Sequence, residues 1–154
     1  MDKILDCITK EISKAFEEAG YEASLGRATW SNRPDLCEIQ CNGAMAGAKL
    51  YKKAPIMIAN DIVAKLADCK AVKDVEAVNP GFLNMNISDE FLAEYVEQMS
   101  NSEKFGLETG DNKKIVIDYG GPNVAKPLHV GHLRSAVIGQ CVKQLCRYMG
   151  HEAI

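Results

Sequence analysis

The sequence predicts two domains, an α+β domain over residues 1–100 and the truncated start of an α/β domain of the Rossmann type. Periodic patterns in the first part come in the order helix, two strands, helices, two strands and helix. After a polar stretch follow a short apolar strand, a polar loop, a long helix and the first residues of another strand, as in a parallel β-α-β unit. We therefore divide the chain into residues 1–100, a linker at 101–113 and residues 114–154.

The first elements are a helix, a strand pair and a second helix. Apolar side chains recur at three- and four-residue spacings over residues 4–19, which predicts an amphipathic helix that ends at Gly20. Residues 25–29 and 36–41 have the short apolar or alternating patterns of strands, and a turn-rich segment joins them. Residues 44–53 are then expected to be helical.

The rest of the first domain is predicted to be helix, hairpin and helix. Pro55 suits the first position of a helix that continues to Leu66. Residues 72–78 and 82–87 alternate as strands around an Asn-Pro-Gly turn, and Ser88 is an N-cap candidate for the last helix. The predicted buried side of that helix consists of Phe91, Leu92, Tyr95, Val96 and Met99.

The second domain begins after the linker. Residues 115–119 read as an apolar strand of a parallel sheet, a helix is expected from about residue 130 to 149, and Gly150 ends it. The predicted buried stripe of this helix consists of Leu133, Val137, Ile138, Cys141, Leu145 and Met149. Because the next strand has barely begun at Ile154, we expect the chain to be an N-terminal fragment of a longer protein.

The composition is that of a soluble protein. Of the 154 residues, 47% are hydrophobic and 25% are charged, and no apolar run approaches the ~20 residues that cross a bilayer. We expect a cytoplasmic protein without membrane or DNA partners, and a monomer. The six cysteines form no CxxC pair, so we expect small buried side chains and neither disulfides nor a metal site.

The charge differs between the two parts. Residues 1–100 hold 11 basic and 16 acidic side chains, a net charge of −5, whereas residues 101–154 hold 7 and 5, a net charge of +2. A broad basic surface for nucleic acid is therefore excluded from the first part. Any RNA contact there must depend on shape or base stacking.

Polar side chains concentrate between the strand and the helix of the second domain, from Asp118 to Ser135. In open α/β sheets ligands bind at this place, where the free amides of the helix N-terminus attract phosphate. His129 and His132 lie one helical turn apart, and Gly131 permits a flat ligand ring to approach. Taken alone, the two histidines also fit an incomplete metal pair or two surface residues without a function.

The stretch GGPNVAKPLHVGHLRSAVIG is similar, nearly residue by residue, to the segment that carries the HIGH signature of class I aminoacyl-tRNA synthetases. Its PN-x-AKP and LRS portions resemble the arginyl branch of that family. NGAMAGAKLYKKAP and NPGFLNMNI resemble the same branch more loosely. The resemblance implies an additional N-terminal domain and the start of a catalytic domain. It also implies the reaction: L-arginine is activated by ATP, which enters with Mg²⁺, to arginyl-adenylate and transferred to tRNA(Arg).

The resemblance also implies roles for individual residues. His129 and His132 match the HIGH histidines that contact the ATP phosphates, Lys126 adds a positive charge there, and Gly131 admits adenine. These residues are the predicted ATP site, and Lys126, His129 and His132 its catalytic groups.

Arginine is expected to contact the same loop. Asp118 is an acidic position suited to a guanidinium, and Asn123 is expected to orient the amino acid. The remaining arginine pocket and the second ATP signature are expected beyond Ile154, so we expect the fragment to be inactive alone.

The second predicted strand pair suggests an RNA-binding face. Alternation in residues 82–87 turns Phe82, Asn84 and Asn86 outward, where an aromatic ring can stack on a base and an amide can bind its edge. The alternatives are that helix 88–99 covers this face or that the alternation is inverted. The resemblance matches Asn79, Phe82 and Asn84 to positions that contact the D-loop corner of tRNA.

Two other functions stay open at this point. One is a freestanding module that binds the tRNA D-loop, and the other is a different class I synthetase that uses the same signature.

Overall fold

The structure, a computed structural model, describes residues 1–121 and 125–154. It divides into two compact units, Asp2–Gln98 and Met99–Ile154, the latter together with Met1. The predicted position of Asn123 lies outside the described residues.

The first unit is a four-stranded antiparallel sheet with helices. The helices are α1 (Ile4–Glu18), α2 (Gly43–Tyr51), α3 (Pro55–Leu66) and α4 (Asp89–Asn101). The strands are β1 (Thr29–Trp30), β2 (Ile39–Cys41), β3 (Val72–Val78) and β4 (Phe82–Ile87), in the sheet order β1-β2-β4-β3. This element order confirms the predicted α+β class.

Its core lies between one face of the sheet and the apolar sides of α1 and α3. The largest fully buried side chains are Phe16, Ile8, Ile12, Ile39, Ile58, Ile62, Leu83, Met85 and Cys41. Burial of each such side chain stabilises the fold by roughly 1.5–3 kcal/mol. The unit therefore has a core of its own.

The first predicted strand pair is shorter than expected. Residues 23–25 form a single 3₁₀ turn, and the strand begins only at Thr29. The backbone before it bonds to side chains of α1, because the Ala28 N–H donates to Thr9 Oγ1 (3.1 Å) and Ser13 Oγ donates to the Gly26 carbonyl (3.3 Å). These groups are thus unavailable to a sheet.

Helix α4 is capped as predicted, and of its predicted buried side Phe91, Leu92, Tyr95 and Met99 are half-buried while Val96 is exposed. The Phe91 N–H donates to Ser88 Oγ (3.1 Å), which itself donates to the Lys70 carbonyl (2.6 Å). Phe91 and Leu92 are half-buried against the core, whereas Val96 is 59% exposed. The helix has no fully buried residue because only its first turn packs against the sheet unit's core.

The second unit contains the predicted β-α-β arrangement. Strands β5 (Lys114–Ile115) and β6 (Glu152–Ala153) pair in parallel on either side of α5 (Val130–Tyr148). The Ile117 N–H donates to the Ile154 carbonyl (3.0 Å), which carries the pairing two residues beyond β5. The parallel pair supports the Rossmann-type class, although its strands are short.

The predicted buried stripe of α5 is wrong. Leu133 is 61% exposed, Leu145 is 63% exposed, and Val137, Ile138 and Cys141 are exposed as well. The helix buries Gly139 instead, on another side. A sheet of two short strands covers only the strip of helix directly above it, so the apolar stripe stays at the surface. The cysteine prediction holds for buried Cys37 and Cys41 but fails for Cys141.

Among the residues that the structure describes, no helix is both long and apolar enough to cross a membrane.

Candidate functional site

The two predicted catalytic histidines form the N-terminal cap of α5. His129 Nδ1 accepts a hydrogen bond from the Gly131 N–H (3.1 Å), and His132 Nδ1 accepts one from the His129 N–H (3.1 Å). The two imidazole centroids are 4.1 Å apart. Helix amides that are usually capped by Ser, Thr or Asp are thus capped here by a reciprocal pair of imidazoles.

The cap determines which ring nitrogen of His129 carries the proton. A backbone N–H can only donate, so Nδ1 of His129 is the unprotonated, accepting nitrogen. In the neutral ring the proton of His129 is then on Nε2, which is a donor. Nδ1 of His132 lies 3.1 Å from the His129 N–H and 3.2 Å from the His129 carbonyl oxygen, so it accepts from the amide in one tautomer and donates to the carbonyl in the other. His129 is exposed and His132 half-buried, beside the positive end of a helix dipole.

Gly131 leaves room for the cap. A Cβ added at this position would lie 2.9 Å from Cε1 and 3.0 Å from Nδ1 of His129. A side chain here would push the imidazole away from the amide that it accepts from. Gly131 is thus needed for the histidine cap itself, independently of any ligand.

The other predicted residues flank this cap. Lys126 is exposed three residues before His129, and Asp118 is exposed directly after the strand pairing ends at Ile117. Neither forms an ion pair or a hydrogen bond with another described residue. The structure therefore brings His129, Gly131 and His132 together. Lys126 and Asp118 are not joined to them by any described hydrogen bond or ion pair.

Sequence reasoning missed the contact that joins the end of the strand to the helix. A Cβ added at Gly139 would lie 2.2 Å from Cγ and 2.4 Å from Cβ of Tyr119, and the Tyr119 hydroxyl donates to Gln140 Oε1. Tyr119 thus lies on α5 one residue after Asp118. The Tyr119 side chain at the strand end and the glycine within an otherwise apolar helix were the available signals.

On the first unit, the predicted alternation of β4 is confirmed. Leu83, Met85 and Ile87 are buried, so the inverted alternative is wrong. Phe82 and Asn84 are half-buried on the outer face rather than fully exposed.

Cross-strand hydrogen bonds order the amides of this outer face. Gln40 Nε2 donates to Asn84 Oδ1 (2.8 Å) from the neighbouring strand. Asn86 Oδ1 accepts from the Glu38 N–H (3.0 Å), and Asn86 Nδ2 donates to Asp74 Oδ1 (2.9 Å). Sequence reasoning missed Gln40, although its place between Ile39 and Cys41 in an alternating strand was the signal that turned it outward.

The turn before β4 is held against α3. Asn79 is exposed in this turn, and its bond to Pro80 is cis. A Cβ at Gly81 would lie 2.5 Å from Pro55 Cβ, so the turn approaches the first residue of α3 closely. Asn79 and Phe82 therefore share one end of the sheet.

One lysine near α2 is already paired. Lys53 Nζ donates to the Tyr21 hydroxyl (2.9 Å) and lies 3.7 Å from Asp61 Oδ2. The hydrogen bond to Tyr21 raises the pKa of Lys53. Lys53 is thus part of a local cluster, while Lys49 and Lys52 are exposed.

Two family models match the chain. The model described as the arginyl tRNA synthetase N terminal domain matches residues 2–87, and that of the class I (R) tRNA synthetase catalytic domain matches residues 95–154.

Curated relatives cover the whole chain. It is 54% identical over 156 residues to the arginine–tRNA ligase of Agathobacter rectalis and 49% identical over 155 residues to that of Alkaliphilus oremlandii. The match to the enzyme of Francisella tularensis subsp. holarctica is 40% and covers 96% of the chain. In each case the chain spans 26% of the relative's length.

Two solved structures share the fold. The arginyl-tRNA synthetase of Plasmodium falciparum matches with a TM-score of 0.63 and 21% identity, over 99% of this chain and 30% of its own. The Thermus thermophilus enzyme matches with a TM-score of 0.52 and 22% identity, over 99% of this chain and 24% of its own.

Proposed function

Because this chain belongs to the arginyl-tRNA synthetase family, we propose that it acts as the N-terminal part of an arginine–tRNA ligase. Such an enzyme activates L-arginine with ATP to arginyl-adenylate and transfers the arginyl group to tRNA(Arg). The observation that carries the proposal is the pair of histidines that caps the N-terminus of α5, at the strand-to-helix connection of a parallel β-α-β unit.

The cap suits the first step chemically. When the carboxylate of arginine attacks the α-phosphate, negative charge builds on the phosphate oxygens until pyrophosphate leaves. Donors held in place before the reaction stabilise that charge without a reorganisation cost. We assign this role to the Nε2–H group of His129 and the imidazole of His132, and a supporting role to the positive charge of Lys126, three residues before His129.

The loop before the helix is proposed to hold arginine. Asp118 has no described hydrogen bond or ion pair, and we assign it to pair with the guanidinium through two parallel hydrogen bonds. Asn123 is assigned to orient the amino acid. Mg²⁺ would enter as part of the ATP substrate. Within the described ranges, no group of three His, Cys, Asp or Glu side chains could hold a metal.

A chimeric enzyme tests this proposal. Because the chain matches 26% of the Agathobacter rectalis ligase at 54% identity, it can replace the matching segment of that enzyme. We expect the chimera to catalyse arginine-dependent ATP–pyrophosphate exchange, and the 154 residues alone to show none. Exchange by the 154 residues would contradict the proposal that the rest of such an enzyme is needed.

Histidine variants of the chimera locate the site. We expect His129→Ala and His132→Ala each to reduce exchange by about 100-fold or more, the cost of one lost transition-state donor. His151→Ala is the matched control, since His151 lies at the other end of α5 and accepts from the Lys113 N–H. Equal activity of all three variants would remove the cap from the mechanism. Exchange supported by another amino acid would instead favour a different class I synthetase.

We further propose that the outer face of the first unit contacts tRNA(Arg) near its D-loop, through Asn79, Phe82 and Asn84. The ring of Phe82, the exposed turn at Asn79 and the amide of Asn84 lie at one end of β4. The net charge of −5 over residues 1–100 argues for base contacts rather than broad phosphate binding. A freestanding tRNA-binding module would use the same face, and the exchange assay separates it from an enzyme.

Substitution of Phe82 tests the tRNA contact. We expect Phe82→Ala in the 154-residue chain to weaken the binding of a tRNA(Arg) transcript by ~1–3 kcal/mol, the contribution of one base stack. Phe82→Leu keeps apolar bulk against the sheet but cannot stack, so it should weaken binding similarly. Phe105→Ala, which removes another ring that is 62% exposed, is the control. Fluorescence anisotropy gives the dissociation constants, and unchanged affinity in both Phe82 variants would exclude this residue.

A further inference from the structure

A row of polar side chains crosses the outer face of the sheet. Gln40 on β2, Asn84 on β4 and Glu76 on β3 are direct cross-strand neighbours. Gln40 Nε2 donates to Asn84 Oδ1 at 2.8 Å, and both amides are half-buried. We propose that Gln40 is a positioning residue that fixes the direction of the Asn84 carboxamide, so that Asn84 offers a hydrogen-bond donor to the edge of an RNA base. This inference rests on the proposed tRNA contact of Asn84.

The neighbouring amide shows which direction the sheet imposes. Asn86 Oδ1 accepts from the Glu38 N–H at 3.0 Å, and a backbone amide can only donate. Asn86 Nδ2 donates to Asp74 Oδ1 at 2.9 Å, and an ionised carboxylate can only accept. The oxygen of Asn86 therefore faces β2 and its nitrogen faces β3.

The side-chain carboxamide of Asn84 points the same way as that of Asn86, for the same electrostatic reason. Its oxygen faces Gln40 on β2, so its nitrogen faces β3, where Glu76 is its cross-strand neighbour. The reversed carboxamide would turn a carbonyl oxygen toward the side of the sheet that carries the carboxylates of Asp74 and Glu76, which is repulsive. The bond from Gln40 and the acidic strand thus favour one orientation.

The donor on Asn84 is available to a ligand. Asn84 Nδ2 carries two hydrogens and makes no hydrogen bond with another residue of the described ranges. The acidic side chains on β3 disfavour an RNA phosphate on this face but do not repel a neutral base edge. The expected ligand is therefore an unstacked base that presents an acceptor next to Phe82.

The preference of the chain among the four RNA bases reports which way the Asn84 carboxamide points. Transcripts of tRNA(Arg) that carry each of the four bases at a D-loop position are bound to the 154-residue chain. At the position where the base matters, we expect affinities to differ by roughly 3- to 10-fold, the effect of one hydrogen bond. Asn84→Ala should abolish this difference.

Two substitutions of Gln40 then test the proposal. Gln40→Met has similar length but no donor, so the base preference should fall below about 2-fold because Asn84 is no longer held. Gln40→Glu can accept but not donate, so Asn84 should turn its nitrogen toward residue 40 and its oxygen toward the β3 side, where wild-type Asn84 offers its donor. The order of the preferred bases should then be inverted. Gln144→Glu, on exposed α5, adds the same charge elsewhere and should leave the ratio of affinities unchanged.

The outcomes separate this inference from the function on which it rests. If Asn84→Ala abolishes the preference while both Gln40 variants keep it, Gln40 has no positioning role and the tRNA contact stands. If Asn84→Ala retains the preference, or the wild-type chain has none, the assigned role of Asn84 fails and this inference fails with it.

Discussion

Single side chains at the N-terminal end of α5 show how packing orients an imidazole. The imidazole of His129 is held by a backbone amide of the helix that it begins, and Gly131 provides the space for it. The cap orients the ring without a ligand, which is the condition that the proposed electrostatic role of the histidines requires. The sequence motif identifies these residues. The cap hydrogen bonds explain why two of the residues, the histidines, are three positions apart.

Gly139, on the buried side of α5, is expected to tolerate a side chain as poorly as Gly131 does. In Gly139→Ala the new Cβ would lie 2.2 Å from Tyr119 Cγ, and atoms so close to the backbone cannot move aside cheaply. We expect a loss of roughly 1–3 kcal/mol in the stability of the second unit. Amide hydrogen exchange at Ile117, whose N–H donates to the Ile154 carbonyl, measures it.

The control for this prediction is Gly121→Ala. No heavy atom outside the neighbouring residues lies within 4 Å of a Cβ at Gly121, so protection of the Ile117 amide should stay as in the wild type. Equal protection in Gly139→Ala would mean that Tyr119 does not pack on the helix as the structure shows.

At the scale of elements, one cluster joins α1 to α2 and α3. The hydroxyl of Tyr21, just after α1, donates to Asp61 Oδ2 of α3 (2.5 Å), and its ring meets that of Tyr51 edge-on at 4.8 Å between centroids. Burial of the ring, followed by the hydrogen bond to Asp61, raises the pKa of Tyr21. The packing of three helices is thus coupled to the protonation of the Tyr21 hydroxyl.

This coupling predicts a loss of stability at alkaline pH. Because the folded-state pKa is raised, the stabilising contribution is complete below the pKa of about 10 of an unfolded tyrosine and is lost as pH rises through the folded pKa. We expect the free energy of unfolding, measured with urea at pH 8 to 11, to fall less steeply in Tyr21→Phe than in the wild type.

Tyr95→Phe is the matched control for the alkaline experiment. Its hydroxyl donates only to the backbone carbonyl of Asp2 among described partners. The variant should therefore keep the wild-type dependence on pH. If Tyr21→Phe and Tyr95→Phe follow the same curve, the protonation of Tyr21 is not coupled to the fold.

At the scale of the whole molecule, the two units differ in how far they bury their apolar side chains. Asp2–Gln98 buries aliphatic and aromatic side chains from helices and strands in one core. The second unit leaves the apolar stripe of α5 at its surface. This difference agrees with the proposal that catalysis requires more of the enzyme than the 26% of its relatives' length that the chain spans.

The sequence by itself determined the elements that depend on local patterns. The bounds of β3, β4 and α3, the cap at Ser88 and the inward alternation of Leu83 and Met85 agree with the prediction. Turn residues, a helix-starting proline and regular alternation act over a few positions, so they can be read without the fold. The family motif likewise lies in one continuous stretch.

Tertiary structure alone decided which sides of the elements meet. The buried side of α5 depends on Tyr119 lying over Gly139, and the pairing of Gln40 with Asn84 joins residues 44 positions apart. The segment before β1 is not a strand because Thr9 and Ser13 occupy its backbone groups. Such contacts depend on which distant surfaces compete for the same atoms, and periodicity along the chain carries no information about that competition.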